Sequence, residues 1–213
     1  KRSVWYTDSG MPNQFTKQQL KKLYIEEKKS STEIARLLRC SANKVNYWLS
    51  KYAIPKRGIS EAVYSKYHPL GDPFVIYHPQ SIQEAILYGL GVGIYWGEGN
   101  KANKNTVRVG NSDPALMNVF MQFLTKFFGI KKKHLRFHLH LFTDIDMQEA
   151  IRFWSKALGI QKKQFYKPMV SASGSIGTYR KKSTYGVLTL YYGNVKLRDI
   201  LIKKLEAYAF TPL

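Results

Sequence analysis

The sequence predicts an α+β protein in two parts: a small three-helix unit, then a larger body that mixes helices with strands. Three observations carry this expectation. Apolar residues recur at helical spacing in three short runs between residues 16 and 52. A glycine-rich helix opens at Ser81. Beyond it, alternating apolar and polar segments are interleaved with amphipathic runs, the pattern of strands and helices sharing one core. The expected boundaries are residues 1–54 for the first part, 55–79 for a linker and 80–213 for the body.

In the first part, Thr16 is placed to cap a helix that buries Leu20, Leu23 and Tyr24. Ser31 or Thr32 starts a second, with Ile34, Ala35, Leu37 and Leu38 inward. Arg39-Cys40 makes a tight turn, and Ser41 caps a third helix whose buried stripe is Val45, Trp48, Leu49 and Tyr52. Two short helices across a tight turn with a third beneath them make a helix-turn-helix arrangement. The segment from Ser31 to Ser41, with Glu33-Ile34-Ala35 followed by leucines and a capping serine, resembles the recombinase and sigma-factor class of such domains. The resemblance implies that the helix after Ser41 enters a DNA major groove. Ala42, Asn43, Lys44, Asn46 and Tyr47 lie off its buried stripe and are the candidate base and phosphate contacts. A three-helix bundle used for protein contacts is the alternative.

Lys56 and Arg57, between Pro55 and Gly58, read either as a basic arm for the minor groove or as plain linker. From Pro55 to Pro79 the chain is rich in Pro, Gly, Ser and His, and at most one helical turn is expected, around Glu61 to Lys66.

Ser81 and Glu84 stand at capping-box spacing. The helix they open carries Gly89, Gly91, Gly93 and Gly97, although each interior Gly costs about 1 kcal/mol relative to Ala. Gly89, Gly93 and Gly97 recur every fourth residue, so they line a stripe where another backbone can approach, and the stripe ends beside Glu98. The remaining expected elements are a strand from Asn105 to Val109 and a helix from Pro114 to Phe128, capped by Asp113 and closed by Gly129. A strand from His134 to Phe142 follows, then a helix from Gln148 to Leu158 ended by Gly159. Phe165 to Ser171 and Thr184 to Tyr192 read as a strand pair, and Val195 to Tyr208 as the final helix.

Gly91-Val92-Gly93-Ile94-Tyr95-Trp96-Gly97-Glu98-Gly99 resembles the LAGLIDADG motif of homing endonucleases, with Gly93, Gly97 and Gly99 at matching positions. Glu98 occupies the acidic position before the last glycine, where the family has Asp, and Trp96 stands at the first acidic position. The element order after it is similar to the αββαββα unit of that family. The resemblance implies a saddle-shaped sheet on the major groove and a homodimer whose glycine helices (Gly89, Gly93, Gly97) cross on a two-fold axis. It also implies metal-dependent cutting of a long pseudo-palindromic duplex site, with Mg2+ or another divalent cation at Glu98 and Gly97. Asn111 takes the place of a polar side chain near the reacting water. Tyr191 falls where the family carries a basic residue, with Lys101, Lys104 or Lys167 as substitutes. Lys104, Arg108, Arg136, His138, His140 and Thr189 become candidate DNA contacts. His138 and His140, alternate residues of one strand, also read as a metal pair, though no third ligand is evident. A non-cleaving transcription regulator on the same fold is the alternative function.

Charge agrees with a polyanionic partner. The 213 residues carry 34 Lys and Arg against 14 Asp and Glu, a formal net charge of +20. Such self-repulsion destabilises a compact chain unless an anion offsets it. Nucleic acid is the first candidate and an anionic membrane surface the second. The basic residues are spread along the chain, as a broad phosphate-tracking surface requires. One cysteine, Cys40, excludes a disulfide framework within the chain and points to a reducing compartment. The start, Lys1 to Tyr6, lacks the apolar run of a signal peptide, and Ile86–Trp96 is too short to span a bilayer. The expectation is a cytoplasmic protein, nucleoid-associated in a prokaryote, with no membrane partner.

Overall fold

A computed structural model describes residues 15–173 and 183–210. The basic run Arg180-Lys181-Lys182 and the N-terminal fourteen residues lie outside the described residues. The chain divides between Asp72 and Pro73 into two units, each with its own core.

In the first unit, α1 (Lys17–Lys21) is capped by Thr16 and continues into a wider turn of π type over Lys22–Glu26, where one regular helix was expected. Next come α2 (Ser31–Leu37) and α3 (Ala42–Lys51). The α2 cap is Ser30, which forms a full capping box with Glu33, so Ser31 is the first helical residue. The hydrogen bonds from Ser30 to the Glu33 carboxylate hold its pKa below the usual carboxylate value. Leu20, Tyr24, Ile34, Ala35, Val45, Trp48 and Leu49 close the core, with Tyr52 at its margin. Leu37 does not join them. It is 55% exposed, because the packed face of this two-turn helix is confined to Ile34, Ala35 and the half-buried Leu38.

Three helical segments of this unit end in a left-handed residue that is not glycine: Lys28, Arg39 and Ala53. The Ala53 N–H bonds Ser50 O at 3.0 Å and the Ile54 N–H bonds Leu49 O at 2.9 Å, the pairing of a Schellman cap. A Cβ in this conformation costs roughly 1–2 kcal/mol. Ala53→Gly is therefore expected to stabilise the unit by about 1 kcal/mol, after allowing for the extra freedom of unfolded glycine. Urea unfolding followed by Trp48 fluorescence checks it; an unchanged or lower midpoint contradicts it.

The linker expectation needs two corrections. Helix α4 spans Ile59–Tyr67, longer than one turn. Residues beyond Pro73 belong to the body: Phe74 is buried in its core. The Val75 N–H donates to Phe128 O at 3.2 Å and the Tyr77 N–H to Phe127 O at 2.9 Å. Those carbonyls end a helix and have no intrahelical partner, so an extended neighbour that supplies N–H groups is held there.

The body runs α5 (Ile82–Glu98), β1 (Val107–Asn111), α6 (Pro114–Phe128), β2 (Arg136–Phe142), α7 (Met147–Leu158), β3 (Met169–Ser171), β4 (Val187–Tyr192) and α8 (Val195–Phe210). Asp113 caps α6, and Gly129 and Gly159 close α6 and α7 in left-handed conformation. Strand β1 begins at Val107 because Asn103 folds residues 103–106 into a turn, its Oδ1 accepting from Asn105 N, Thr106 N and Thr106 Oγ1.

The four strands form one sheet in the order β1-β4-β2-β3. β3 and β4, expected as a pair, are separated by β2. β4 pairs antiparallel with both β1 and β2, while β3 is parallel to β2. A parallel neighbour needs a crossover, and α7 supplies it. Helices thus stand between β1 and β2 and between β2 and β3, so among the described residues β3–β4 is the one place where strands follow one another without a helix between, against two such places in an αββαββα order. Alternation decides the faces: Val107, Val109, Phe137, Leu139, Leu141, Leu188 and Leu190 are buried with α6, α7 and α8 residues in one core.

Candidate nucleic-acid interface and carboxylate site

Helix α5 presents two unlike faces. Inward, Gly91, Val92 and Tyr95 are buried. A Cβ on Gly91 would lie 2.1 Å from Cγ of the buried Phe123, so glycine is required by packing. Outward, a Cβ on Gly89, Gly93 or Gly97 would meet nothing within 4 Å. Ile82, Ile86, Leu90 and Trp96 flank that stripe and are exposed at 75%, 58%, 52% and 47%. The capping box is half formed: Ser81 Oγ accepts from Glu84 N, but the Glu84 carboxylate takes the Gln80 N–H and Lys126 Nζ instead, 2.8 and 3.0 Å away. These partners hold the Glu84 pKa below the ordinary value.

Glu98 is the last residue of α5 and is exposed. Gly99 then bridges Val109 on the free edge of β1, and Asn100 N donates to Arg108 O at 3.0 Å. A Cβ on Gly99 would sit 2.2 Å from Tyr95 O, so the chain leaves the helix close against its own last turn. The backbone that carries Glu98 is thereby held at the edge of the sheet. Lys101 Nζ donates back to Trp96 O, a cation at the helix C-terminus, where the macrodipole favours it. Asn111 ends β1, and its Oδ1 accepts from Asp113 N at 2.9 Å. Lys104 is exposed in the intervening loop.

The unburied face of the sheet carries the expected contacts in register. Arg108, Tyr191 and Arg136 form one row and Gly110, Thr189 and His138 the next. The Arg108 guanidinium lies 4.9 Å from the Tyr191 ring centroid, and its Nε donates to Thr106 Oγ1. Tyr166 meets Tyr191 edge to face at 5.8 Å. Tyr191, assigned a catalytic place by the resemblance, is thus an aromatic plate between two arginines and one strand removed from the edge where Glu98 stands. His140 Nε2 is 2.8 Å from Ser171 Oγ, and no group of three His, Cys, Asp or Glu is gathered among the described residues. Asp113 caps α6, its Oδ1 accepting from Ala115 N at 2.7 Å.

Sequence reasoning missed Arg198 and Tyr95. Arg198, on α8, donates from Nη2 to Lys101 O and from Nη1 to Asp199 Oδ1, tying α8 to the loop after Glu98. The Tyr95 hydroxyl is buried with no hydrogen-bond partner among the described residues, as is Arg198 Nε. Burial raises the Tyr95 pKa; Arg198 lowers it and Asp199 raises it. Tyr95 was read only as an apolar position, and nothing in the spacing of α8 marks Arg198. Tyr166 was missed for a related reason: its place beside Tyr191 depends on which strand β3 joins.

In the first unit, Asn43 and Tyr47 are exposed on α3, Tyr47 at 59%. Asn46 is committed within the chain, its Oδ1 accepting from Ser31 Oγ at 2.8 Å. Ala42 packs on the core, and Lys44 Nζ lies 5.5 Å from the Phe15 ring. Lys56 is exposed. Arg57 is not an extended arm: its guanidinium donates to the carbonyls of Tyr24, Lys28 and Lys29 and stacks on the Tyr24 ring. Those carbonyls lie at and just beyond the end of the π-type turn, where partners are lacking, which explains its capture.

No helix among the described residues is long and apolar enough to cross a membrane. Comparison of the chain with known family models, curated proteins and solved structures finds no match.

Proposed function

We propose that this chain is a metal-dependent, duplex-DNA endonuclease of the LAGLIDADG type, acting as a homodimer, with its N-terminal helices serving as a helix-turn-helix that extends the footprint. The observation that carries this reading is helix α5. A stripe of three glycines, where an added Cβ would meet no other part of the fold within 4 Å among the described residues, is flanked by exposed Ile82, Ile86, Leu90 and Trp96 and ends at an exposed carboxylate. Two such helices packed through their glycines on a two-fold axis would bring two Glu98 carboxylates together. Beside them lies a sheet face of arginine, histidine, threonine and tyrosine suited to phosphates and base edges.

The donor chemistry fits Mg2+ only in its open mode of binding. Magnesium takes one or two carboxylates, keeps waters and accepts phosphate oxygens. One Glu98 from each protomer meets that need, and the backbone at Gly97 stands one residue away. When bound, the ion would stabilise charge on the oxygens of the phosphodiester under attack. Asn111 holds the turn into α6 beside the carboxylate, and Lys104 is free to meet a phosphate.

The second reading, a DNA-binding regulator that does not cut, is favoured by one observation: Lys101 is tied to Trp96 O and Tyr191 to Arg108 and Tyr166, so neither stands free for the basic role beside Glu98. Incubation of the full chain with a random-sequence duplex library, with Mg2+ and with chelator, separates the two. Mg2+-dependent ends at an enriched long site are expected; metal-independent retention of duplex without ends selects the regulator.

A further inference from the structure

We infer that the sheet edge where β2 and the segment leading into β3 begin is a second contact surface for the phosphate backbone of duplex DNA. This rests on the DNA-binding part of the proposed function and not on cleavage. β2 and β3 are parallel, so the turns that precede them lie at the same edge. Phe137 bridges Phe165 in parallel and Tyr166 N donates to Phe137 O at 2.7 Å, which extends that alignment back to the turns. The first turn, a 3-10 helix over Lys132–His134, carries exposed Lys131, Lys132 and Lys133; the second, over Lys162–Gln164, carries exposed Lys162 and Lys163. Arg136, exposed at the start of β2, joins this edge to the open face of the sheet.

The two turns are fastened together. Gln164 is buried, and its Nε2 donates to Lys132 O at 2.8 Å and to Leu135 O at 3.2 Å. Lys132 Nζ reaches Leu158 O at the end of α7 at 3.4 Å. Neighbouring strands are about 5 Å apart, so the backbones of the two turns run within the Debye length of about 8 Å at physiological salt. Lys162 Nζ is turned aside to Gln148 Oε1 at 3.3 Å, and Lys131, Lys133 and Lys163 carry the exposed charge of this edge. Nothing in the local sequence relieves that repulsion. No Asp or Glu occurs between Asp113 and Asp144, or between Glu149 and Asp199. The three acids in between flank the start of α7, at the opposite end of β2, and Asp146 caps that helix. A closely held group of cations without local acids is offset by an external polyanion. Continuity with Arg136 and His138 selects the backbone of the duplex that lies on the sheet.

The test is the salt dependence of duplex binding by the full chain in chelator, where no cutting occurs. Lys131→Gln, Lys133→Gln and Lys163→Gln are combined, sparing Lys132 for its helix-capping bond. Each lost phosphate contact lowers the slope of log affinity against log salt by about 0.9, so the triple variant is expected to lose about 2.7. Across a rise from about 50 to about 200 mM salt, its fall in affinity is then about 40-fold smaller than that of the unaltered chain. Lys203→Gln, on the exposed side of α8, is expected to leave the slope unchanged, and single Lys133→Gln to lower it by about 0.9 should the triple variant misfold. An unaltered slope in a folded variant overturns the edge assignment alone, since the unaltered chain still holds duplex. Failure of the unaltered chain to hold duplex, or retention on phosphatidylserine vesicles in its place, overturns both this surface and the DNA reading.

Discussion

Glu98→Gln is expected to abolish cutting while leaving duplex affinity within a few-fold of the unaltered chain. The substitution keeps size and hydrogen-bonding capacity and removes the anion, which is the property a hard divalent cation requires. Glu98 is exposed and makes no contact that the fold depends on, so stability should not change. A bound metal contributes several kcal/mol of charge stabilisation, and at about 1.4 kcal/mol per factor of ten its loss lowers the rate on the order of 10³-fold. Single-turnover cutting with saturating protein isolates that step from binding. Normal cutting by the variant would remove Glu98 from the chemistry, whatever the fold.

Opposite responses are expected from two alanine substitutions on one helix. Gly89→Ala with Gly93→Ala adds methyls that would meet nothing beyond their own helix backbone within 4 Å among the described residues. The isolated protomer should therefore gain about 1 kcal/mol of helix propensity at each position. In a dimer packed through this stripe the same methyls overfill the contact, costing roughly 1–3 kcal/mol, which weakens association by about 5- to 150-fold. Gly91→Ala adds its methyl 2.1 Å from Phe123 Cγ in a closed core, so the protomer itself should lose roughly 1–3 kcal/mol. Sedimentation across a dilution series, paired with thermal unfolding, reads both effects. A double variant that stays dimeric and merely melts higher would place the dimer contact elsewhere or exclude it.

Much of the local structure was legible because it rests on short-range chemistry. Asp113 and Gly129 mark the two ends of α6, and Gly159 marks the end of α7, because a cap residue and a left-handed glycine act within one turn. The alternation from Arg136 to Phe142 states which residues are buried without reference to any partner strand. The linker reading understated α4 and missed the docking of Phe74 to Tyr77: Pro and Gly break helices, yet an extended segment can still be ordered by the open carbonyls at the end of α6. Arg57, left open by the sequence between a basic arm and plain linker, is held by carbonyls that come into view only in the fold.

By itself the sequence determined most of the helix and strand positions of the body, which faces are apolar, the glycine stripe and its terminal carboxylate, and an excess of positive charge. Each is set by neighbours within a few residues or by a sum over the chain. Only the tertiary structure decided that β2 separates β3 from β4, that Gly91 faces Phe123 while Gly89, Gly93 and Gly97 face open space, and that Arg198 holds the loop after Glu98. These depend on residues tens of positions apart, whose pairing is chosen by the whole core and leaves no local pattern. The gathering of Lys131–Lys133 with Lys162 and Lys163 is of the same kind. It follows from one parallel strand pair, which alternation alone cannot distinguish from an antiparallel one.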